Sequence, residues 1–196
     1  MFAERGADGL QEVGDTVLLT EAAADLLRSP LRPIVLASVA ARASLAPSVA
    51  PGLGEIGVFL PYSPLHHLLL NAFAAPLVAT SGNLSGEPVL TDNDEAARRL
   101  AAIADGFLQH NRPIERPADD PVFRQIGTAM RPLRIGRGCA PLELALPFTL
   151  ERPLLATGGH MKNTLALAWE DRVVVSPHIG DMDSPRSLDV FERVGA

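Results

Sequence analysis

Residues 56–88 read IGVFLPYSPLHHLLLNAFAAPLVATSGNLSGEP. The apolar residues 56–60 predict a buried strand, and the apolar run at residues 65–74 predicts a helix. A second buried strand is expected at residues 77–79, where the apolar run ends in the polar loop Thr80–Pro88. A strand, a helix and a strand in this order predict an α/β fold. Sites of α/β proteins commonly lie on loops that follow strands, so this loop is the first candidate.

The rest of the chain extends this pattern in both directions. Hydrophobic periodicity, caps and breakers predict helices at 20–27, 91–104 and from Ser184 onward, and strands at 33–39, 121–126, 130–135, 154–157, 164–169 and 172–176. Residues 1–19 show no clear period and are expected to be irregular. Prolines punctuate residues 140–153, which predicts an interdomain linker there. We therefore expect a mixed α/β sheet in a first domain, residues 1–145, then a linker at 146–153 and an incomplete second domain at 154–196.

Composition restricts the class of protein. The 196 residues are 47% hydrophobic with one cysteine, which predicts a folded core without disulfides in a reducing, cytoplasmic compartment. No apolar run is long enough to span a bilayer, and no group of Cys and His has metal-site spacing, so neither membrane nor metal is expected. The net charge of −6 argues against bulk nucleic-acid binding. Six arginines nevertheless form a stripe that can hold a phosphate-bearing molecule, and they are Arg112, Arg116, Arg124, Arg131, Arg134 and Arg137.

The polar loop and two arginines are candidates for a ligand site on chemical grounds. Hydroxyls and amides such as those of Ser81 and Asn83 can bind an anionic or planar polar ligand. The same residues also suit a side-chain-stabilised turn, and the residues alone leave both interpretations open. Arg134 and Arg137 lie near a predicted strand end, where they can clamp a carboxylate or a phosphate bidentately.

Other chemistry-bearing residues have simpler interpretations. Asp119 and Asp120 can bind a cation or orient an arginine, but we favour solvated turn carboxylates as the commoner case. The segment Gly158–Thr164 only loosely resembles a Gly-rich phosphate turn. His66 and His67 point about 100° apart on a helix and are not expected to share a metal ion.

Several motifs together resemble one family. They are Pro51-Gly52-Leu53, Gly57–Leu70, Thr80–Pro88, His110–Ile114, Asp119-Asp120, Arg137-Gly138, Gly158–Thr164 and His178–Met182. In this collinear order they resemble the hydrogenase maturation carbamoyltransferase family, HypF, from about residue 30 to the end. The resemblance implies a YrdC-like twisted-sheet domain followed by an incomplete domain of the actin-like ATPase type. It also implies that the chain is a fragment of a longer enzyme, whose zinc and other metal sites lie outside it.

The resemblance also implies a reaction and a set of site residues. Carbamoyl phosphate and ATP, with Mg²⁺, would give a carbamoyl-adenylate, and the carbamoyl group would pass to the C-terminal cysteine of a partner maturation protein. It later becomes the cyanide ligand of a nickel–iron hydrogenase. Ser81 and Asn83 match the family's adenylate-binding Ser-x-Asn loop, and Thr80 adjoins them. Arg137 resembles the arginine that approaches the nucleotide phosphate. Further candidates by this resemblance are Asp119, Asp120, Arg112, Lys162 and Asn163.

The chain departs from the family pattern in ways that predict an incomplete site. The pocket's lysine and companion arginine lie upstream in the family, and the only lysine of this chain is Lys162. Pro121 stands where a serine is common, and Cys139 replaces an aromatic residue. We expect the isolated chain not to make carbamoyl-adenylate, and no catalytic residue is assigned. Alternatives are a double-stranded RNA-binding module using the arginine stripe, a threonylcarbamoyl-adenylate synthase for tRNA modification, or an inert product of a split gene.

Overall fold

The computed structural model describes residues 1–195, which form two compact units. The first unit contains residues 1–80 and 120–134, and the second contains residues 81–119 and 135 onward. Each unit has its own sheet of four strands. The chain is therefore a mixed α/β protein with two sheets, as the strand and helix pattern predicts.

The first unit has three helices and one mixed sheet. Its elements are α1 (Gln11–Thr16), α2 (Glu21–Arg28), β1 (Ile34–Ser38), β2 (Glu55–Val58), α3 (Pro64–Phe73), β3 (Val122–Ile126) and β4 (Ala129–Arg134). The strand order is β2-β1-β3-β4, in which β1 and β3 are parallel and the outer pairs are antiparallel. Val35 on β1 and Val58 on β2 are fully buried, with Leu27 of α2 in the same core cluster. Burial of these side chains is the main force that holds α2 to the sheet.

Local capping fixes the start of the two longer helices of this unit. Thr20 Oγ1 accepts a hydrogen bond from the Ala23 backbone N–H over 3.3 Å at the start of α2. Ser63 does the same for His66 at the start of α3, where Pro64 occupies the first helical turn. Such caps satisfy backbone donors that a helix leaves unpaired, so both helices begin where the sequence predicts.

Three sequence predictions are wrong in detail. Residues 1–19 are not irregular, because α1 forms there and buries Val13 completely in the core. Residues 77–79 are not a buried strand: only Leu77 pairs, with its N–H donating to Met1 O at 3.0 Å and its carbonyl accepting from the Met1 amino terminus at 2.7 Å, and Val78 is 83% exposed. The helix predicted at 91–104 is shorter, since it ends at Arg99.

The second unit has an antiparallel sheet and two helices. Its elements are α4 (Asn93–Arg99), β5 (Leu142–Ala145), β6 (Leu154–Ala156), β7 (Ala166–Trp169), β8 (Arg172–Val175) and α5 (Pro185–Gly195). The order β5-β8-β7-β6 is antiparallel throughout, and the predicted hairpin of β7 and β8 turns at Glu170, whose φ is 49°. Strand β5 lies within the proline-rich stretch for which we expect a linker, and it pairs with β8.

The helices of the described chain are short. The longest is α5 with 11 residues, and within residues 1–195 none is long and apolar enough to cross a membrane. This agrees with the absence of a long apolar run in the sequence.

Candidate functional site

The polar loop is held by its own side chains. Ser81 Oγ donates to Asn83 Oδ1, and Asn83 Nδ2 donates to the carbonyls of Leu84 at 2.8 Å and Glu87 at 3.0 Å. The Leu90 N–H also bonds to the Gly82 carbonyl over 2.9 Å, which closes the base of the loop. The structure thus brings Ser81 and Asn83 together and fixes their geometry before any ligand is present.

The exposure of this loop decides which groups can meet a ligand. Ser81 and Gly82 are exposed, Asn83 is half-buried, and Pro88 is buried. Thr80 is exposed and is the last residue of the first unit, whereas Ser81 is the first residue of the second. The Ser81 hydroxyl is therefore the side-chain group of the pair that remains accessible, and the Asn83 amide N–H groups shape the loop.

Arg137 and Asp119 are joined through the backbone. The Arg137 N–H donates to the Asp119 carbonyl over 2.9 Å. Arg137 is half-buried and lies between the buried Gly136 and the exposed Gly138. The φ of Gly138 is 78°, a value accessible chiefly to glycine. The backbone at Arg137 is thereby tied to the segment that carries Asp119.

The prediction that Asp119 is a solvated turn carboxylate is wrong. Its Oδ2 lies 2.7 Å from His178 Nδ1, and the two side chains are only 20% and 11% exposed. The His178 backbone N–H also donates to the Ile135 carbonyl over 2.8 Å. A buried carboxylate needs such a partner, so the pairing with His178 accounts for its burial. Sequence reasoning quoted His178 within a motif but assigned it no role.

The Asp119–His178 pair borders a small cavity in the second unit. Its volume is about 10 Å³, roughly the room for one water molecule. The remaining lining is mostly apolar and comes from Pro88, Val89, Pro117, Ala118, Ile179 and Val190. Pro88 ends the polar loop, so the loop and the Asp119–His178 pair meet at one place in the fold.

The other candidates of this region are arranged differently. Asp120 belongs to the first unit, where its carbonyl accepts from Arg134 Nε over 2.8 Å and its Oδ2 lies 3.4 Å from the Tyr62 hydroxyl. Arg134 therefore supports the Asp120 backbone. Arg112 is exposed on an irregular segment of the second unit, and among residues 1–195 no hydrogen bond or ion pair is described for it.

Two arginines and two glutamates anchor the end of the polar loop. Arg99 of α4 bonds Glu87 over 2.8 Å, and Arg186 of α5 bonds Glu95 over 2.7 Å. Arg99 also reaches Glu95 at 3.4 Å, so the four charges form one network. The hydrogen bond to Glu87 is the chief reason that the pKa of Arg99 is raised above its ordinary value.

The Gly-rich segment Gly158–Thr164 forms a tight turn around Asn163. Asn163 is 3% exposed, and its Nδ2 donates to the Thr157 carbonyl at 2.9 Å and the Gly159 carbonyl at 2.6 Å. A Cβ on Gly158 would lie 2.4 Å from the Thr164 carbonyl oxygen, so only glycine fits there. These contacts give Asn163 a structural role in the turn.

Lys162 is exposed beside this turn and pairs with Asp181. Its backbone N–H and its Nζ reach Asp181 Oδ1 over 2.8 and 3.1 Å. Both bonds favour the charged carboxylate, the backbone bond most, and they lower the pKa of Asp181 below its ordinary value of 3.8. The Lys162 ammonium is 71% exposed and can still reach a ligand.

Comparisons with known proteins follow the same order along the chain. The Sua5/YciO/YrdC family profile, described as "Telomere recombination", matches residues 8–136, and the HypF Kae1-like domain profile matches residues 149–195. Carbamoyltransferase HypF of Synechocystis sp. is 46% identical over 169 residues, which are 86% of this chain and 22% of that protein. Carbamoyltransferase HypF of Rhodobacter capsulatus is 43% identical over 188 residues, or 95% and 25% of the two lengths. The chain belongs to the HypF carbamoyltransferase family.

A solved HypF structure confirms the fold. The crystal structure of full-length HypF in the phosphate- and nucleotide-bound form has a TM-score of 0.87 to this chain at 37% identity. The match covers 98% of this chain and 30% of that one. The predicted fold class, a YrdC-like domain followed by the start of a HypF Kae1-like domain, is thus confirmed. The chain spans about a quarter of the length of the curated HypF relatives it matches.

Both HypF segments contribute to the second unit. Residues 81–119 come from the YrdC-like match, and residues 149–195 are the Kae1-like match. The Asp119–His178 pair and the Glu95–Arg186 pair therefore each join one segment to the other. Such contacts between residues distant in sequence carry no local sequence signal, which is why sequence reasoning missed them.

Two further features of this HypF segment are its distribution of potential metal ligands and a second cavity. Within the described residues no group of three or more His, Cys, Asp or Glu side chains is arranged to hold a metal ion. The first unit has a wider cleft of about 330 Å³, whose polar lining includes Thr20, Ser38, Glu55, Arg124 and Gln125. None of the site residues expected from the sequence lines that cleft, although Arg124 belongs to the arginine stripe and is paired with Glu55.

Proposed function

We propose that this chain is part of a carbamoyltransferase that uses carbamoyl phosphate and ATP to form carbamoyl-adenylate. The enzyme then carbamoylates the C-terminal cysteine of a hydrogenase maturation partner, in the synthesis of the cyanide ligand of a nickel–iron hydrogenase. One observation carries the proposal: a YrdC-like segment is followed in the same chain by a HypF Kae1-like segment. The solved full-length HypF with bound phosphate and nucleotide supports it further.

The nucleotide site is proposed around Ser81, Asn83 and Arg137, with Thr80 beside them. The pre-formed loop, in which the Asn83 carboxamide bonds two backbone carbonyls, presents the exposed Ser81 hydroxyl. Arg137 supplies positive charge for the phosphate of the adenylate. Groups fixed in place before the reaction stabilise developing charge without reorganisation, which is the main catalytic effect available here.

The remaining candidates have supporting roles in this proposal. The Asp119 carbonyl holds the backbone at Arg137, and the Asp120 carbonyl accepts a hydrogen bond from the Arg134 side chain. Asn163 shapes the turn from which Lys162 extends. Arg112 is exposed and would meet only the outer part of a ligand. ATP enters with Mg²⁺ as a substrate, and Mg²⁺ is commonly held by substrate phosphates together with few protein groups.

The proposal includes a domain division and a limit on activity. We place the YrdC-like domain at residues 1–145, a linker at 146–153 and the start of the second domain at 154–196. The pocket's lysine and companion arginine would come from the longer protein, so the chain alone would not form carbamoyl-adenylate. No observation favours double-stranded RNA binding, which remains an alternative that a salt-dependent gel shift would test.

The test replaces one serine of the loop and uses another as its control. In the full-length carbamoyltransferase that contains this segment, Ser81→Ala should weaken ATP binding about tenfold, because a hydrogen bond to a charged ligand is lost. Ser85→Ala, an exposed serine of the same loop, should change it less than twofold by the same reasoning. Isothermal titration calorimetry with ATP measures the affinity of both variants. Equal effects of the two variants would contradict the site.

A further inference from the structure

The Asp119–His178 pair has the geometry of a fixed dyad. A carboxylate can only accept a hydrogen bond, so the 2.7 Å contact assigns the proton to His178 Nδ1, which donates to Asp119 Oδ2. His178 Nε2 is buried and, among the described residues, has no hydrogen-bond partner. The imidazole therefore acts on the protein through Nδ1 and not through Nε2.

Asp119 is held through its side chain and through its backbone carbonyl. Its side chain is bonded by His178, and its carbonyl accepts the Arg137 N–H over 2.9 Å. His178 is itself anchored, because its backbone N–H bonds the Ile135 carbonyl two residues before Arg137. Loss of His178 would remove this bond to the Asp119 carboxylate, and we expect it to loosen the backbone contact to Arg137.

The dyad also borders the polar loop. Pro88, which ends that loop, and Val89, which follows it, line the same cavity as Asp119 and His178. The cavity has room for about one water molecule. The two side chains of the dyad are mostly shielded from solvent, and a charge-assisted hydrogen bond is stronger there than at an exposed surface.

We infer that His178, supplied by the Kae1-like segment, is a positioning residue of the carbamoyl-adenylate site in the YrdC-like segment. It acts through Asp119, whose carbonyl fixes the backbone of Arg137 for the nucleotide phosphate. The site is then complete only when both segments are folded together. This inference rests on the proposed function for its ligand, but the link from His178 to Arg137 stands independently of any activity.

Two substitutions separate the roles of the two ring nitrogens. The Asn side chain places an N–H near the position of His Nδ1, and the Gln side chain places its amide nearer Nε2. His178→Asn can keep the bond to Asp119, whereas His178→Gln loses it. His160→Asn is the matched control, because His160 contacts Asp183 through Nε2 at 2.6 Å and the Asn side chain loses that bond. The two side chains of this control pair are 63% and 69% exposed.

The first measurement is the amide hydrogen exchange of the chain itself, without any ligand. Amide hydrogen exchange at Arg137 should be about tenfold faster in His178→Gln, because a charge-assisted bond that holds Asp119 in place is lost. His178→Asn should restore most of the protection, and the control His160→Asn should leave it unchanged. Unchanged Arg137 exchange in a folded His178→Gln variant would overturn the inference.

The second measurement uses the full-length carbamoyltransferase that contains this segment. In carbamoyl-phosphate-dependent ATP–pyrophosphate exchange, His178→Gln should raise KM for ATP about tenfold with a smaller change in kcat, since a phosphate contact is misplaced. His178→Asn should recover most of that loss. Equal damage by Asn and Gln would overturn positioning through Nδ1. Absence of ATP–pyrophosphate exchange in the unsubstituted enzyme would instead refute the proposed function. The amide hydrogen exchange rates at Arg137 would still test the link from His178 to Arg137.

Discussion

Asn83 has a structural role within the loop for which we propose a ligand site. Its Nδ2 bonds two carbonyls of its own loop, and its Oδ1 accepts from Ser81. The residues alone left a binding site and a stabilised turn open, and the structure contains the stabilised turn. The turn does not exclude the site, because it fixes the exposed Ser81 hydroxyl in one place.

A second residue, Asp181, leads to a prediction about how the stability of the fold depends on pH. Because its pKa is lowered in the folded state, chiefly by the Lys162 backbone N–H, the interaction stabilises the fold above the ordinary value of 3.8. The stabilisation should be lost as the pH falls below that value, through the folded pKa. In Asp181→Asn the thermal midpoint should therefore fall less steeply than in the unsubstituted chain between about pH 4.5 and 2.5.

Asp189→Asn is the control for this titration, since Asp189 is exposed. Its acid dependence should match that of the unsubstituted chain. The account of Asp181 would be wrong if both variants and the unsubstituted chain lost stability in parallel over this pH range.

At the scale of elements, the network around α4 and α5 joins the two family segments. Glu95 and Arg186 meet over 2.7 Å with about a quarter of each side chain exposed. The same carboxylate also receives Arg99, which in turn anchors Glu87 at the end of the polar loop. Shared, partly buried charges of this kind couple more strongly than isolated surface pairs.

A double-mutant cycle measures that coupling. Glu95→Gln and Arg186→Gln, singly and together in the chain, should show a coupling of about 1 kcal/mol in urea unfolding. The exposed pair Glu143 and Arg172, at 3.3 Å, is the control and should couple by less than about 0.5 kcal/mol. Equal coupling energies for the two pairs would show that the network does not hold α5.

The sequence predicts those helices and strands that neighbouring residues determine, and it misses those that depend on distant contacts. Helix α2 is predicted from its cap at Thr20, and α3 is predicted from the apolar run at residues 65–74. Helix α1 is missed because it has six residues and owes its place to Val13 in the core. Strand β5 is missed because its pairing with β8 is non-local.

At the scale of the whole molecule, the site residues that the sequence predicts are likewise those that lie close together in the sequence. The Ser-x-Asn loop is recognisable because its residues are adjacent, whereas Asp119 and His178 are separated by 59 positions. No pattern within a short window can report that contact. The family motifs contained both residues, and only the fold joined them.

The chain as a whole corresponds to about a quarter of its curated relatives, so the central claim is a proposal about a longer carbamoyltransferase. Two of the alternatives predict other chemistry. A threonylcarbamoyl-adenylate synthase would need threonine, and an RNA-binding module would need no nucleotide turnover.

ATP–pyrophosphate exchange tests the claim most directly. The full-length protein containing this segment should exchange pyrophosphate into ATP when carbamoyl phosphate is present, and threonine with bicarbonate should not replace it. The isolated chain, without the upstream lysine and arginine, should stay at background. Exchange that depends on threonine, or clear carbamoyl-phosphate-dependent exchange by the chain alone, would contradict the account.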